Sequence, residues 1–595
     1  MRNITSLFVL AGLACSYAIA GAPTPRTPQA KISKDLKTVD PTNNIDVIVQ
    51  FTATPTAHHH QLVAKRGGAL KHDLSIAKAG HYSVPAASLM DLANDPEIAY
   101  ITPDRPVSGT LDYAIPTINA DLAHNAGFTG SGVTVAVLDS GQRNTADLDV
   151  LNTGKWATGT NSITPIHRFS FTAAKSFVGL TGDDVWGHAT HVAGIIAGNG
   201  QQSLSAPRPF IGVAPQATIA SYQVLNAAGQ GTDSAVIAAI QQVIKDKAQY
   251  NIRVMNLSIG RPVYESFTVD PLCQAVEQAW KAGIVVVVAA GNDGRNNSQG
   301  TNGYGTITAP GNDPFVITVG AMKDQGTINR SDDTIASYSS KGPTLFDYIA
   351  KPDLVAPGNR IVSIIHGEAG KTAPQGVYAL SGSNMIPCTL QLGPACTTTT
   401  SLNYVKLSGT SLAAPMVSGA AALMIYKNPA LTPDQIKAIL MKTATKEFPA
   451  YSSVFDPVAN MTFTSQYDIF TVGAGYLDVM AALNNTDPMS GTAISPTAQL
   501  DTATGNVYLV STALTGANAL WGSKSVWGAN SLWGATVVWG TTVFVSGSRS
   551  VWGANSLWGA NSLWGANSVW GAKAIWGATS QTSSEALRTT INGEN

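Results

Sequence analysis

The chain has 595 residues, of which 12% are charged, and its formal net charge is −1 at pH 7. This length exceeds that of an ordinary single domain, so we expect several domains. The sparse and balanced charge argues against a nucleic acid or an anionic membrane as a partner.

The first segment, residues 1–20, has the pattern of a secretory signal peptide. Arg2 precedes an apolar run from Leu7 to Ala20, and Ala18-Ile19-Ala20 is typical of a cleavage site. The run is too short to span a membrane. We therefore expect a secreted protein. Residues 21–43, which are rich in Pro, Thr and Lys, are predicted to form a linker.

Three cysteines remain after the predicted signal peptide, and export makes a disulfide admissible. Cys388 and Cys396 flank a short loop that contains Pro and Gly, and we expect them to pair. Cys273 lies in a predicted helix over 271–282, where we expect it to be a buried apolar residue.

Residues 44–108 combine short strand and helix patterns. Strands are predicted over 45–51, near Leu74, over 81–84 and over 98–102, and helices over 57–66 and 86–94. The resulting order, β-α-β-β-α-β, predicts a small ferredoxin-like α+β domain.

Residues 109–485 alternate apolar strand patterns with helices that have small or amphipathic faces. This alternation predicts an α/β fold with a mainly parallel sheet flanked by helices. The candidate buried strands are 133–138, 218–222, 253–257, 284–290, 315–319 and 353–356.

Four short motifs in this region carry residues that are suited to chemistry. Asp139-Ser140-Gly141 and Gly291-Asn292-Asp293-Gly294 each follow a predicted strand, where open α/β sheets place their sites. His188 opens a helix of small residues. Ser411 follows Gly409 and Thr410 at the start of another such helix, and Thr410 is the expected N-cap. A helix N-terminus beside a hydroxyl can hold an oxyanion.

These motifs, in the order Asp, His, Asn, Ser, resemble those of the subtilisin-like serine proteases (subtilases) over residues 115–485. The resemblance implies that Ser411 is the nucleophile, His188 the general base and Asp139 the group that orients His188. It also implies that Asn292 and the Ser411 backbone N–H donate to the oxyanion. His191 is then structural.

The resemblance extends, more loosely, to residues 44–108, which look like the inhibitory propeptide of subtilases. The acidic segment at their C-terminal end, Pro103-Asp104-Arg105-Pro106-Val107, is part of that likeness. A zymogen that processes itself and is inhibited by its own propeptide is implied.

Substrate contacts are also implied by the resemblance. Ser258, Ile259 and Gly260 match the strand that lines the primary pocket, and Gly229, Gln230 and Gly231 match the edge that pairs with the substrate backbone. Thr308 is expected near the pocket base, where it would shorten the pocket. The absence of an acidic residue from these motifs favours broad specificity with a preference for apolar side chains.

No cofactor is required for this chemistry, and calcium is an open alternative. Ile211-Gly212-Val213-Ala214-Pro215 matches the end of a family calcium loop, whereas the preceding residues 200–210 lack its Asn-rich pattern. Because many subtilases bind calcium elsewhere, a structural ion is neither assigned nor rejected, and no metal ligand is named.

Residues 486–595 form a C-terminal extension in which a unit close to Leu/Val-Trp-Gly-Ala-Asn-Ser recurs. A step of six residues would keep the tryptophans on one face of a strand. Stacked short strands and a disordered tail are both open. Exposed tryptophans could contact polysaccharide, a cell envelope or one another. Nine of the twelve tryptophans lie here: Trp521, Trp527, Trp533, Trp539, Trp552, Trp558, Trp564, Trp570 and Trp576.

The sequence therefore predicts a secreted serine endopeptidase that acts on proteins or peptides. Two alternatives are weighed against it. One is a surface-attached binding protein that acts through the Trp-Gly repeats and has an inactive protease domain, against which the complete triad argues. The other is an esterase, which usually has the opposite residue order, with Ser before Asp and His.

Overall fold

The computed structural model describes residues 27–510, apart from residues 34–35, 37–39, 76–77, 104–112, 144, 149–166, 171–176, 179–183, 205–208, 227, 299–300, 366–383, 388–399, 457–458, 487–490 and 502–505. The predicted signal peptide, the Cys388–Cys396 pair and the Trp-Gly repeats lie outside the described residues. The chain divides into two units, Met1–Ser108 and Gly109–Asn595.

The first unit is a four-stranded antiparallel sheet with two helices. Its strand order is β2-β3-β1-β4, and alternate residues of β1 (Val47, Val49 and Phe51) enter its hydrophobic core. The elements follow in the order β-α-β-β-α-β. They are β1 (Asn44–Phe51), α1 (Ala57–Ala64), β2 (Ala69–Leu74), β3 (Ala79–Pro85), α2 (Leu89–Asn94) and β4 (Ile98–Pro103).

The second unit contains a nine-stranded sheet of order β12-β11-β10-β9-β5-β8-β6-β7, in which β13 also pairs with β11. All of its pairings are parallel except β11 with β12 and β6 with β7. The strands are β5 (Thr134–Asp139), β6 (His167–Ser170), β7 (Phe177–Val178), β8 (Thr218–Gln223), β9 (Ile252–Leu257), β10 (Val285–Ala289), β11 (Ile317–Lys323), β12 (Thr334–Ile335) and β13 (Leu354–Pro357).

The predicted α/β fold with a mainly parallel sheet is confirmed. Every residue of β5 and β10 is buried, as expected for strands covered on both faces. Strand β11 begins at Ile317 rather than at the predicted Phe315. The Phe315 N–H instead donates to the Asp313 carboxylate (2.8 Å), which places this amide in a turn before the strand.

Helices flank this sheet, and the helix Thr410–Lys427, labelled α8, packs against β9, β10, β11 and β13. Nearly all of α8 is buried, as its apolar and small residues require. None of the helices in the described part of the chain is both long and apolar enough to cross a membrane. The helices are α3 (Ala114–Thr117), α4 (Ala120–Asn125), α5 (His188–Ala197), α6 (Asp233–Tyr250), α7 (Pro271–Lys281), α8 (Thr410–Lys427), α9 (Pro433–Thr443), α10 (Ile469–Val472) and α11 (Val479–Asn484).

Three smaller antiparallel sheets complete the second unit. Strand β16 lies between β14 and β15, and the other two sheets are the hairpins β17–β18 and β19–β20. The strands are β14 (Ile361–Ile364), β15 (Met385–Pro387), β16 (Thr400–Leu407), β17 (Tyr451–Asp456), β18 (Met461–Gln466), β19 (Thr497–Asp501) and β20 (Asn506–Val510).

The packed core of the second unit continues past residue 485, where the sequence predicted its end. Ala493 and Ala498 are buried in the same hydrophobic cluster as the sheet. The Ser495 hydroxyl donates to the buried Asp353 carboxylate (2.5 Å) and accepts from the Lys437 ammonium (2.8 Å). Buried charges need such partners, so a boundary at 485 would cut through this cluster.

Candidate active site

Asp139 and His188 form the charged half of the candidate site. Asp139 is the last residue of β5 and has no exposed surface, and His188 is the first residue of α5. The His188 Nδ1 atom lies 2.9 Å from both carboxylate oxygens of Asp139. Because a carboxylate only accepts, Nδ1 carries the proton and donates it, which leaves Nε2 as the basic nitrogen.

Two histidines one turn apart on α5 have opposite electrostatic surroundings. Burial by itself would lower the pKa of His188, but the adjacent Asp139 charge outweighs it and raises this pKa above its ordinary value of 6.5. Burial lowers the pKa of His191 to about 3. His191 Nε2 contacts the Val405 carbonyl oxygen (3.2 Å) and thus acts as a donor. His191 is a neutral structural side chain here.

Asp184 is a residue of this half that sequence reasoning missed. Its buried carboxylate accepts from the Ser140 hydroxyl (2.8 Å), from the N–H groups of Gly187 and Thr190 (both 2.7 Å) and from the Thr190 hydroxyl (2.7 Å). It thereby caps the helix that begins at His188. Burial raises its pKa, and the donated hydrogen bonds oppose that rise. An acidic residue four positions before His188 was the available signal.

Ser411 lies in the first turn of α8. The preceding Gly409 has φ +147, a conformation that favours glycine, and a Cβ there would lie 3.2 Å from the Asn292 amide nitrogen. The helix begins at Thr410, so the prediction that Thr410 is its N-cap is wrong. The Thr410 hydroxyl donates instead to Asn292 Oδ1 (3.1 Å) and accepts from the Gly291 N–H (3.1 Å).

Asn292 is anchored beside Ser411 by these same contacts. Its Oδ1 atom accepts from the Thr410 N–H (2.9 Å) as well as from the Thr410 hydroxyl. With Oδ1 engaged in this way, the amide orientation is fixed and Nδ2 is the donor end. The loop that carries Asn292 follows β10, just as Asp139 ends β5, so both halves of the site lie at the carboxyl edge of the sheet.

A cavity of about 390 Å³ adjoins His188. Five of the residues predicted to bind substrate line it: Gly229, Gly231, Ser258, Ile259 and Gly260. Its apolar lining also includes Trp186, Leu225, Val236, Leu272 and Pro310.

The other predicted contact residues lie differently. Gln230 is exposed, and its N–H donates to the Asn226 side chain (3.1 Å). Thr308 is buried next to the lining residue Gly260, and its side chain would lie within 3 Å of a Cβ added at Gly260 or Gly291. Two residues after Thr308, Pro310 lines the cavity.

Trp186 is a wall of the cavity that the sequence reasoning did not identify. Gly229 has φ +71, and a Cβ there would approach the Trp186 indole to 2.7 Å. Only glycine therefore permits the close packing of this loop on the indole. The position of Trp186, two residues before His188, was the signal in the sequence.

The cavity also contains a carboxylate, which comes from outside the motifs predicted to bind substrate. Asp233 lines it together with Arg261. The Arg261 Nε atom donates to both oxygens of Asp233 (3.0 and 2.9 Å), and Nη2 donates to both oxygens of the buried Asp270 (2.9 Å each). The Asp233 charge is thus paired with a fixed guanidinium group.

The described ranges contain no group of three or more His, Cys, Asp or Glu side chains that could hold a metal ion. Beside the segment compared with a calcium loop, the Asp147 carboxylate accepts from the Tyr404 hydroxyl and from the Gln202 N–H (2.6 Å). These donors occupy the oxygens that a cation would need, so the residues around Asp147 do not fit calcium. A calcium ion elsewhere stays a prediction.

Comparison with known proteins agrees with this geometry. Residues 130–461, more than half of the chain, match the model of the subtilase family. Serine protease AprX of Bacillus subtilis (strain 168) is 35% identical over 350 residues, which are 58% of this chain and 68% of that protein. Subtilisin E of the same strain is 30% identical over 399 residues, 66% of this chain and 83% of that protein.

Subtilisin DY of Bacillus licheniformis is 33% identical over 337 residues, which are 56% of this chain and 92% of that protein. The family match spans the strands and helices that carry Asp139, His188, Asn292 and Ser411. The chain therefore belongs to the subtilase family, the subtilisin-like serine proteases, for which an Asp-His-Ser triad is typical.

Proposed function

We propose that this chain is a secreted serine endopeptidase that cleaves peptide bonds through an acyl-enzyme on Ser411. The observation that carries the proposal is the buried Asp139–His188 pair, whose contact of 2.9 Å holds Nε2 in its basic form. Asn292 supports the same assignment, because its side chain is hydrogen-bonded to Thr410, the residue directly before Ser411. Family membership implies protein or peptide substrates.

In the proposed reaction, the Ser411 hydroxyl attacks the scissile carbonyl carbon while His188 Nε2 takes its proton. Asp139 holds the ring tautomer and stabilises the imidazolium. The oxyanion accepts hydrogen bonds from Asn292 Nδ2 and from the Ser411 backbone N–H. The imidazolium then protonates the leaving amine. A water molecule, deprotonated by the same nitrogen, hydrolyses the acyl-enzyme and regenerates the Ser411 hydroxyl.

Broad specificity with a preference for apolar side chains is part of the proposal. The indole of Trp186 and the side chains of Leu225, Ile259 and Leu272 favour apolar groups in the cavity. Asp233 does not argue for a basic substrate, since Arg261 already pairs with its carboxylate.

We further propose that the chain is made as a zymogen. Residues 1–20 direct secretion, residues 44–108 act as an inhibitory propeptide, and the enzyme removes that propeptide itself. The β-α-β-β-α-β order of the first unit supports a separately folded propeptide. The C-terminal repeats are proposed to contact polysaccharide or a cell envelope, and this part rests on the tryptophan spacing alone.

The test compares wild type with Ser411→Ala from one protease-free host. We expect wild type to digest casein, to react with a fluorophosphonate and to begin near residues 105–115 after processing. We expect the variant to do none of these, because it lacks the nucleophile, and to stay uncut. Labelling without casein digestion would indicate an esterase. Two proteins alike in length and both inert would favour the repeat-mediated binding protein, and an identically processed variant would overturn self-processing.

A further inference from the structure

The main-chain carbonyl of Ser411 has an unusual donor. In a regular helix this oxygen would accept from the N–H four residues later, but that residue is Pro415, which has no N–H. Ser258 directly follows strand β9, and its hydroxyl donates to the Ser411 carbonyl oxygen at 2.6 Å. A side chain from the sheet thus supplies the hydrogen bond that the helix cannot make at its nucleophile.

The direction of this hydrogen bond is set by a buried relay. The Ser418 hydroxyl donates to Asn256 Oδ1 (2.8 Å), which turns the amide nitrogen of Asn256 toward Ser258. That nitrogen donates to Ser258 Oγ (2.9 Å), so the Ser258 proton is left to point at the Ser411 carbonyl. Asn256 and Ser418 have no exposed surface, and Ser258 is 4% exposed.

The relay connects the nucleophile to the rigid centre of the sheet. Asn256 lies within β9, which pairs with β5 and β10, and Ser418 lies two turns along α8 from Ser411. Asn256 and Ser258 each both donate and accept, and such networks in a dry interior are stronger than isolated bonds.

We propose that Ser258 is a positioning residue for the nucleophile, because its hydroxyl replaces the helical hydrogen bond that Pro415 removes and fixes the peptide unit after Ser411. This inference rests on the proposed protease function and deepens it. The chemical consequence concerns kcat: Ser411 must present Oγ and its backbone N–H to one carbonyl group at once, and rotation of the following peptide unit would misalign the two.

Ser258 and Pro415 should be coupled, because both determine which group donates a hydrogen bond to the Ser411 carbonyl oxygen. In Pro415→Ala, the new N–H at position 415 can donate to Ser411 as in any helix. The Ser258 hydroxyl then becomes redundant. Ser258→Ala should therefore be costly in the wild-type background and nearly silent in the Pro415→Ala background, which a general packing role for Ser258 would not produce.

The experiment is a double-mutant cycle on the full chain, with kcat and KM measured on a peptide substrate and enzyme concentration set by fluorophosphonate titration. We expect Ser258→Ala to lower kcat about tenfold with KM changed less than twofold. In the Pro415→Ala background, we expect the same substitution to lower kcat about twofold or less. Ser258→Thr, which keeps the hydroxyl, should retain most of the wild-type kcat.

Thr443→Val is the matched control. It removes a hydroxyl that donates to a main-chain carbonyl of another helix, that of Ile439 (2.8 Å), outside the site. It should leave kcat unchanged. Asn256→Asp is the second test if Pro415→Ala fails to fold: a carboxylate accepts from Ser258 and draws its proton away from Ser411, so kcat should fall while the Ser258 hydroxyl is still present.

Equal losses of kcat from Ser258→Ala in both backgrounds would overturn the inference, as would a loss confined to KM or to thermal stability. So would an unchanged kcat in Asn256→Asp. A wild type that neither cleaves peptides nor reacts with fluorophosphonate would contradict the protease function itself, and the inference with it. An active wild type with an additive cycle would contradict the inference alone.

Discussion

The two halves of the candidate active site are built from different kinds of groups. The half that holds the proposed base consists of His188, the Asp139 carboxylate that contacts it, and the buried Asp184 carboxylate, whose charge also raises the pKa of His188. The half that holds the nucleophile consists of neutral groups: the Asn292 amide, the Thr410 hydroxyl and N–H, and the Ser258 hydroxyl. Both halves begin at the N-terminus of a buried helix, α5 or α8.

The difference follows from what each half must do. In the proposed mechanism His188 gains and loses a proton in every cycle, so its surroundings have to set its pKa. Ser411 and the oxyanion donors must keep a fixed geometry and present dipoles to a charge that forms only transiently. Substitutions in the first half should therefore move the pH dependence of catalysis, whereas those in the second should lower the rate and leave the pH dependence in place.

The largest effect is expected for Asp139→Asn. Loss of this charge removes the main factor that raises the pKa of His188, and burial then lowers that pKa. Because catalysis needs neutral His188, kcat/KM of wild type should rise with pH through a pKa above about 6.5. In the variant, this acid limb should shift to lower pH. We also expect kcat to fall about 10⁴-fold, because the carboxylate that holds His188 in the tautomer with a basic Nε2 is gone. The check is a pH profile of kcat/KM.

An acid limb that stays in place in Asp139→Asn would show that a group other than His188 controls it. His191→Phe is the comparison variant, because His191 is neutral with a pKa of about 3 and should not contribute to the limb. We expect this variant to lose stability through its buried contact with Val405 and to keep the wild-type pH profile.

In the half of the site that holds the nucleophile, Asn292→Ala should lower kcat about 10²- to 10³-fold, which is the usual effect of removing one oxyanion donor. The acid limb should not move, since no charge near His188 changes. Steady-state kinetics across the same pH range test both statements. A shifted limb in this variant would break the division between the two halves, even if the loss of rate were as large as expected.

The four candidate catalytic residues could be named from the sequence because each lies in a short motif at the end of a strand or the start of a helix. Asp139 and Asn292 follow runs of β-branched residues, and His188 and Ser411 open helices of small residues. The strands were predictable for the same reason, since a buried parallel strand is a continuous apolar run. A local sequence pattern is sufficient to predict a site residue where the same short segment carries both the functional motif and the secondary-structure signal.

What supports those residues could not be predicted, because the contacts join distant parts of the chain. Asp184 meets Ser140 from 44 positions away, and Ser258 meets Ser411 from 153. Thr410 looked like a local cap, yet its hydroxyl bonds to the loop after β10. Packing beyond residue 485 was not predicted for a similar reason, since Ser495 completes the cluster of Asp353 and Lys437. No local pattern encodes such pairings.

A smaller effect is expected for Asp184→Asn. The amide keeps one acceptor oxygen but turns an NH₂ group toward donors on Ser140, Gly187 and Thr190, which unsettles the first turn of α5. Loss of a charge that also raises the pKa of His188 should move the acid limb down, less than in Asp139→Asn. We expect kcat to fall about 10- to 100-fold. Kinetics normalised to titrated active sites separate this loss from lower stability; an unmoved limb would count against a charge role for Asp184.

The smallest effect is expected for Thr410→Val, which tests how the neutral half is held. The substitution removes the hydroxyl that bridges the Gly291 N–H and Asn292 Oδ1 but keeps the Thr410 N–H, which still donates to Asn292. Half of the anchoring remains, so kcat should fall about 3- to 10-fold with an unchanged acid limb. In an Asn292→Ala background the same substitution should cost little, because the amide it orients is gone. Full additivity there would mean that Thr410 acts on Ser411 by another route, through the start of α8 rather than through the oxyanion donor.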